Sequence, residues 1–241
     1  MVDVVKTENL TVGYKNKKII SDINFSVKKG EIVTLIGSNG CGKSTLLRTL
    51  AGQQKALGGN IFIGDREIKE YNEIELEKKL SILLTDRVMP LLMTAYDVVC
   101  SGRYPYTGRL GILSAEDHER VEEVMELTGI TGLRDELFSE LSDGQRQRVM
   151  LARALSQEPD ILIMDEPMTF LDIKYKRELS DIIMKLRDEK NLTMIISLHE
   201  LHIIKKFTDR VICVKDGKID KTGSPDELLE DNYIDYLFDM A

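Results

Sequence analysis

The chain has 241 residues, 42% of them apolar and 31% charged, and a formal net charge of −8. That length and balance suit one large α/β domain, or a core carrying a subdomain, with a sizeable buried interior. The acidic balance disfavours a nucleic-acid partner, which needs a basic face, and no apolar run approaches the ~20 residues that span a bilayer. The first residues, Met1-Val2-Asp3-Val4-Val5-Lys6, lack the basic-then-apolar build of a signal peptide. Short strands are predicted at Asn9-Leu10-Thr11-Val12 and Ile23-Asn24-Phe25-Ser26-Val27, closed by the turn Lys28-Lys29-Gly30, and again at Asn60-Ile61-Phe62-Ile63-Gly64. Their partial alternation points to an antiparallel sheet beside the main core. Ile32-Val33-Thr34-Leu35-Ile36 is a short β-branched run, read as a buried strand, and Leu46 to Ala51 reads as a helix stopped by Gly52.

Ser81-Ile82-Leu83-Leu84-Thr85 has the texture of another buried strand. From about 89 to 157 the pattern turns helical, with Ser114 capping a helix that carries Glu116 and Asp117 in its first turn. Strands return at Ile161 to Met164, Leu192 to Ser197 and Val211 to Val214. A helix over about 173–189 separates the first two, and such a crossover implies parallel strands. Lys215-Asp216-Gly217-Lys218 is a hairpin turn, and Ser224-Pro225-Asp226-Glu227 opens a terminal helix with Ser at the cap and Pro at its first position.

Three constellations carry chemistry. Gly37-Ser38-Asn39-Gly40-Cys41-Gly42-Lys43-Ser44-Thr45 fits G-x-x-x-x-G-K-[S/T] between a strand and a helix. Backbone N–H groups and the positive helix end suit phosphates there, Lys43 reaches the terminal ones, and the Ser44 hydroxyl can ligate Mg²⁺. Ile161 to Met164 ends in Asp165-Glu166-Pro167, two carboxylates at the carboxyl end of a buried strand, where open α/β sheets bind ligands. Asp165 suits orientation of Mg²⁺ or its water, and Glu166 suits proton abstraction from an attacking water. Leu141-Ser142-Asp143-Gly144-Gln145 is a second helix start, with Ser142 and Gln145 as a capping box. One chain has no need of two phosphate-gripping helix starts, whereas two copies arranged head to tail would each cap the nucleotide held by the other.

In their order and spacing, and over nearly the whole length, these motifs resemble the ATP-binding subunit of an ATP-binding-cassette (ABC) transporter. The resemblance implies a P-loop nucleoside-triphosphatase core of α/β class, in which a mixed sheet with a parallel centre stands beside an antiparallel β part and an α-helical subdomain is inserted. Residues 1–86 and 158–222 would form the core, 87–157 the helical subdomain and 223–241 the C-terminal helices. Gly37 to Thr45 then matches Walker A, Asp165 the Walker B aspartate and Glu166 the catalytic base. Leu141 to Gln145 matches the signature loop, with Ser142, Gly144 and Gln145 facing the partner's ATP. Leu171-Asp172 matches the D-loop, His199 the switch histidine at the γ-phosphate, and Tyr14 the aromatic that stacks on adenine. The implied catalytic set is Glu166, His199 and Lys43, with ATP and Mg²⁺ as ligands and a homodimer as the working unit.

Two positions depart from the family pattern. Asp86 stands where a glutamine usually offers its amide oxygen to Mg²⁺, and a carboxylate is also a hard oxygen ligand, so Asp86 joins Ser44 and Asp165 as an expected metal contact. Asp143 replaces the first glycine of the signature, and is expected to point outward and stabilise the helix start. The segment 94–108, especially Gly102-Arg103-Tyr104-Pro105-Tyr106, resembles subunits of iron–siderophore, haem and cobalamin importers. A permease is therefore expected to dock near 87–110, with the chain peripheral on the cytoplasmic face of the membrane and without contact to the transported substrate. The alternatives are a soluble ABC ATPase of iron–sulfur cluster assembly without a permease, and a non-hydrolysing nucleotide-gated regulator. His118 and His202 read as solvent-facing helix positions. The cysteines, Cys41, Cys100 and Cys213, lack metal-type spacing and suit reduced thiols in a cytosol, Cys41 serving its loop through its backbone.

Overall fold

The computed structural model describes residues 2–84, 90–169 and 171–239. In chain order it holds β1 (Asp3–Tyr14), β2 (Lys17–Lys28), β3 (Ile32–Ile36), α1 (Lys43–Leu50), β4 (Gly58–Ile63), β5 (Arg66–Glu67), α2 (Glu73–Glu77) and β6 (Leu80–Leu83). Then come α3 (Ala95–Cys100), α4 (Ala115–Leu127), α5 (Asp143–Ser156), β7 (Ile161–Asp165) and α6 (Ile173–Lys190). The chain closes with β8 (Thr193–Ser197), α7 (Leu201–Phe207), β9 (Arg210–Lys215), β10 (Lys218–Gly223), α8 (Pro225–Leu228) and α9 (Asp231–Phe238). Single 3₁₀ turns fill several connections.

Two sheets organise these elements. One is antiparallel, in the order β2-β1-β4-β5. The other runs β10-β9-β3-β8-β7-β6, parallel throughout except for β10 at its edge. Successive residues of the parallel strands point to opposite faces, and both faces are covered. Ile32, Ile36, Leu162, Met164, Met194 and Ile196 pack under α5, α6 and α7. Val33, Leu35, Ile161, Ile163, Ile195 and Ile212 face α1 and the antiparallel sheet. Double coverage is why these strands read as unbroken apolar runs. α3, α4 and the middle of α5 enclose a third cluster around Val98, Val121, Met125, Phe138 and Val149. Leu151 and Leu155 of α5 turn instead to the main core, so this helix belongs to both.

The fold class is the one the motifs imply, and the β7-α6-β8 crossover and the 215–218 turn are present, with Asp216 and Gly217 at φ 49° and 72° as a two-residue hairpin of this kind requires. The strand expected at 81–85 is β6, Leu80–Leu83, and Thr85 lies outside the described residues. The first strands differ from expectation. Instead of two short pieces, β1 and β2 are twelve residues each and pair along their length through several register shifts. Asn9 and Asp22 hold positive φ, and Asn24 accepts the Asn9 N–H at 2.8 Å while donating to Asp22. Bulges of this kind break the alternation that marks a long strand.

Candidate functional site

β3, β8 and β7 lie side by side, with Leu35, Ser197 and Asp165 in register across them. Adjacent strands stand about 4.8 Å apart. The loop before α1 therefore leaves the same sheet edge as the residues after Ser197 and after Asp165. Motifs more than a hundred residues apart in sequence converge there by strand order alone.

The loop needs its glycines for room and for backbone. A Cβ on Gly42 would lie 2.5 Å from Ile19 Cγ2, at φ +108°, and one on Gly37 would lie 2.3 Å from the Val214 carbonyl oxygen. Gly42 is also the N-cap of α1 and offers no side chain to it. By contrast, α2, α3, α4, α5 and α8 are each closed by a capping box. The start of α1 is thus left open where an anion would use its N–H groups. Lys43 is buried, and its Nζ donates to the carbonyls of Gly37 at 2.9 Å and Ser38 at 3.2 Å. A phosphate offers that amine a charged and hence stronger acceptor. Ser44 is half-buried and Thr45 buried on the same turn.

Asp165 is buried at the end of β7 and its Oδ1 accepts the Ser197 hydroxyl at 2.7 Å. The Ser197 oxygen in turn accepts the Glu166 N–H at 2.8 Å. Glu166 has φ +47°, a left-handed conformation that non-glycine residues adopt at a cost of order 1–3 kcal/mol. Its carboxylate lies 2.7 Å from His199 Nε2 through Oε1 and accepts the Thr169 hydroxyl at 3.2 Å through Oε2. Glu166 and His199 are thereby joined, and Asp165 is tied to both through Ser197. Ser197 and Thr169 were not anticipated. Each looks like an ordinary strand end or loop residue until the register sets it beside a carboxylate.

The Ser44 hydroxyl and Asp165 carboxylate are hard oxygen donors. Mg²⁺ takes one or two protein oxygen ligands and completes its shell with water and phosphate. The donor set therefore fits Mg²⁺. Asp86, the third expected contact, lies outside the described residues.

At the signature, Ser142 is exposed, its Oγ accepts the Gln145 N–H, and its own N–H is held by Gln145 Oε1 at 2.8 Å. The Gln145 side chain is thus turned back onto its own helix. Asp143 pairs with Arg146 at 3.0 Å and is half-exposed. Gly144 is buried against the ring of Tyr175. Asp172 caps α6 by accepting the Tyr175 N–H at 2.9 Å. Tyr14 ends β1 half-exposed, and the Gln54 side chain beyond α1 holds the neighbouring Gly13 carbonyl. Burial pushes the Cys41 thiol up despite Lys43 nearby, burial likewise raises Cys100, and burial carries Cys213 to about 11, so none is activated as a thiolate. His118 and His202 are exposed, His118 resting 2.6 Å from the Tyr96 hydroxyl.

The family model described as ABC transporter matches residues 20–169. An uncharacterized ABC transporter ATP-binding protein of Methanocaldococcus jannaschii is 40% identical, over 98% of this chain and 82% of its own length. A probable siderophore transport system ATP-binding protein of Bacillus subtilis is 37% identical, over 99% of this chain and 87% of its own. A dimeric ATP-binding cassette in a post-hydrolysis state with ADP and phosphate superposes with a TM-score of 0.80 at 28% identity, over 92% of this chain and 98% of that one. Neither relative is named for iron–sulfur cluster assembly, and that alternative gains no support. With a family model spanning more than half its length, relatives this similar over nearly all of it, and the phosphate loop, Asp165 and Glu166 gathered on one sheet edge, the chain belongs to the ABC transporter family, as an Mg-ATP-hydrolysing subunit that energises a membrane permease.

Proposed function

We propose that this subunit drives import of an iron chelate of the siderophore class, as two copies that clamp two ATP molecules between the loop 37–45 of one and Ser142, Gly144 and Gln145 of the other. The observation that carries the catalytic part is the Asp165–Ser197–Glu166–His199 chain of hydrogen bonds beside Lys43. In this reading Glu166 takes the proton of the attacking water, and Lys43 and His199 stabilise charge on the transferring phosphoryl group. Mg²⁺, when bound, neutralises charge shared by the β- and γ-phosphates. Asp165 and Ser44 would hold it, with Asp86 as a further contact, and Tyr14 would stack on the adenine ring of the ATP.

The substrate class rests on the transport names of the relatives and on the likeness of the Gly102 to Tyr106 segment. The permease is read as docking on the part of the helical subdomain (87–157) near 87–110, the chain being peripheral on the cytoplasmic face. Support comes from five exposed apolar side chains between 91 and 112, namely Leu91, Leu92, Tyr104, Leu110 and Ile112. A groove of about 1120 Å³ lined by Tyr71, Leu76, Glu77, Ser81 and Arg153 borders the same region. Arg153 donates to Ser101 at 2.9 Å and Lys78 lies over the Tyr106 ring, which joins the groove to this segment.

Glu166→Gln tests the catalytic assignment. The variant should bind ATP and accumulate as an ATP-bound dimer on size-exclusion chromatography while hydrolysis falls by about 10²–10⁴, the usual share of a general base. Hydrolysis at the wild-type rate would remove Glu166 from that role.

A further inference from the structure

Gly144 does not need to be glycine for its backbone, because its φ is not in the positive region. As the second residue of α5 it costs the helix roughly 0.5–1 kcal/mol relative to alanine. What it provides is space. A Cβ there would lie 2.6, 2.7 and 2.8 Å from Cγ, Cδ2 and Cδ1 of Tyr175, so the ring lies directly over the glycine. One turn further along each helix the contact continues: the Arg148 guanidinium sits 5.3 Å from the Tyr175 ring centre and 3.5 Å from Glu178. The first turns of α5 and α6 are closed on each other like a zip, with Tyr175 as its first tooth.

The backbone of Tyr175 is fixed too. Its N–H is the one that Asp172 accepts, and Lys176 N–H bonds the Asp172 carbonyl at 3.0 Å. The same turn leads back to the catalytic carboxylate, since Leu171 N–H bonds Met168 and Thr169 bonds Glu166 through both its N–H and its hydroxyl. A continuous set of contacts therefore runs from the start of α5 through one aromatic ring to Asp172 and on toward Glu166.

We propose that Tyr175 is a positioning residue for the hydrolysis reaction: its ring, seated on Gly144, fixes the signature helix start to the Asp172 turn, so that the group presented to the partner copy's ATP and the loop behind this copy's own Glu166 move as one body. This rests on the composite-site reading above. Tyr175 touches neither nucleotide in that arrangement, and acts only through Gly144 and Asp172. Its removal should leave nucleotide capture by the loop 37–45 intact while lowering turnover and the cooperativity between the two sites.

The test is a double-mutant cycle on the full chain, read in steady-state ATPase and in binding of a fluorescent ATP analogue. Tyr175→Ala should lower kcat by about tenfold with analogue affinity within about twofold of wild type, and the Hill coefficient should fall toward 1, while Gly144→Ala should also lower kcat. Tyr175→Phe, which keeps the ring, should retain at least roughly half of kcat. In the double variant the alanine methyl occupies the space the ring leaves, so its loss should be smaller than the product of the two single losses. Multiplicative losses, a Tyr175→Phe defect as deep as that of Tyr175→Ala, or an unchanged Hill coefficient would each overturn the proposal. If Tyr175→Ala fails to fold, Tyr175→Leu, which removes the ring but keeps apolar volume, takes its place in the cycle with the same expected outcomes. Ser142→Ala separates this from the composite-site reading. If Ser142→Ala is inert, that reading fails; if it abolishes turnover while Tyr175→Ala does not, only the positioning role fails.

Discussion

Ser197 shows how one hydroxyl can organise two carboxylates. It donates to Asp165 and accepts from the Glu166 N–H, and it is fully buried. Ser197→Ala would remove the hydroxyl acceptor of the Glu166 N–H, which keeps the Ser197 carbonyl at 3.2 Å, and one donor to Asp165 Oδ1, at about 0.5–3 kcal/mol for each hydrogen bond lost. ATPase kcat should fall by at least about tenfold with a modest drop in thermal midpoint, and a kcat close to wild type would mean that Asp165 and Glu166 hold their places without it. Nothing in the sequence distinguishes Ser197 from the end of an apolar strand; only its register opposite Asp165 does. Asp143 is the opposite case, because its charge is conspicuous in the sequence. Paired with Arg146 and half-exposed, it is already screened, so Asp143→Gly should change kcat by less than about threefold, since exposed pairs contribute about 0–1 kcal/mol. A large gain in activity would show that Asp143 opposes catalysis.

Among the elements, the phosphate-loop helix and the parallel strands were legible because their signals are local: a glycine pattern, caps, and double-sided burial. β1 and β2 were not, because bulges at Asn9 and Asp22 reset the alternation. The Gly102 to Tyr106 segment was half legible. Its aromatics suggested a surface, and Tyr104 is indeed exposed, but Arg103 is buried in a 3₁₀ turn that contains Pro105. Arg103 donates to Asp117 at 2.9 Å, to Glu158 at 2.7 Å and to the Ser156 carbonyl at 2.7 Å, with its guanidinium stacked on Tyr106. It ties the turn to the first turn of α4 and to the end of α5. A partner so distant in sequence as Glu158 leaves no local trace. Arg103→Met should cost about 3 kcal/mol by leaving the buried Asp117 with Ser114 but without its charged partner, a fall in thermal midpoint of roughly 6–12 °C. The pH dependence has a definite sign. Burial alone would raise the Asp117 carboxyl, yet Ser114 and Arg103 outweigh it and hold the group below the usual carboxylate range. A depressed folded pKa stabilises the fold above the unfolded value of about 3.9 and is lost as pH falls through the folded one. The wild-type advantage over Arg103→Met should therefore be full at neutral pH and shrink only in acid; an equal midpoint at neutral pH would show that the clamp contributes no stability.

For the whole molecule, the distribution of apolar surface matters more than its amount. The main and helical cores are closed, so Leu92 at 90% exposed and Leu110 at 82% stand out beside them. Single exposed leucines are common on monomers, but several within one short segment are what the proposed permease contact would use. Neither side chain takes part in any of the three cores, so replacing it with aspartate removes no internal packing. It does put a charge into whatever contact the segment makes, and a charge buried without a partner costs several kcal/mol. Leu92→Asp with Leu110→Asp should therefore keep the thermal midpoint of the isolated subunit and lower its co-purification with a co-expressed permease by at least about tenfold. Aspartate at the exposed Ile74, on α2, whose Glu73, Leu76 and Glu77 line the groove, is the comparison that locates the contact. Loss of permease binding there but not at Leu92 and Leu110 would move the docking face from the 91–112 segment to α2. Basal ATPase of the isolated variants, measured alongside, should stay close to wild type, because none of these side chains belongs to the Asp165, Glu166 and His199 set.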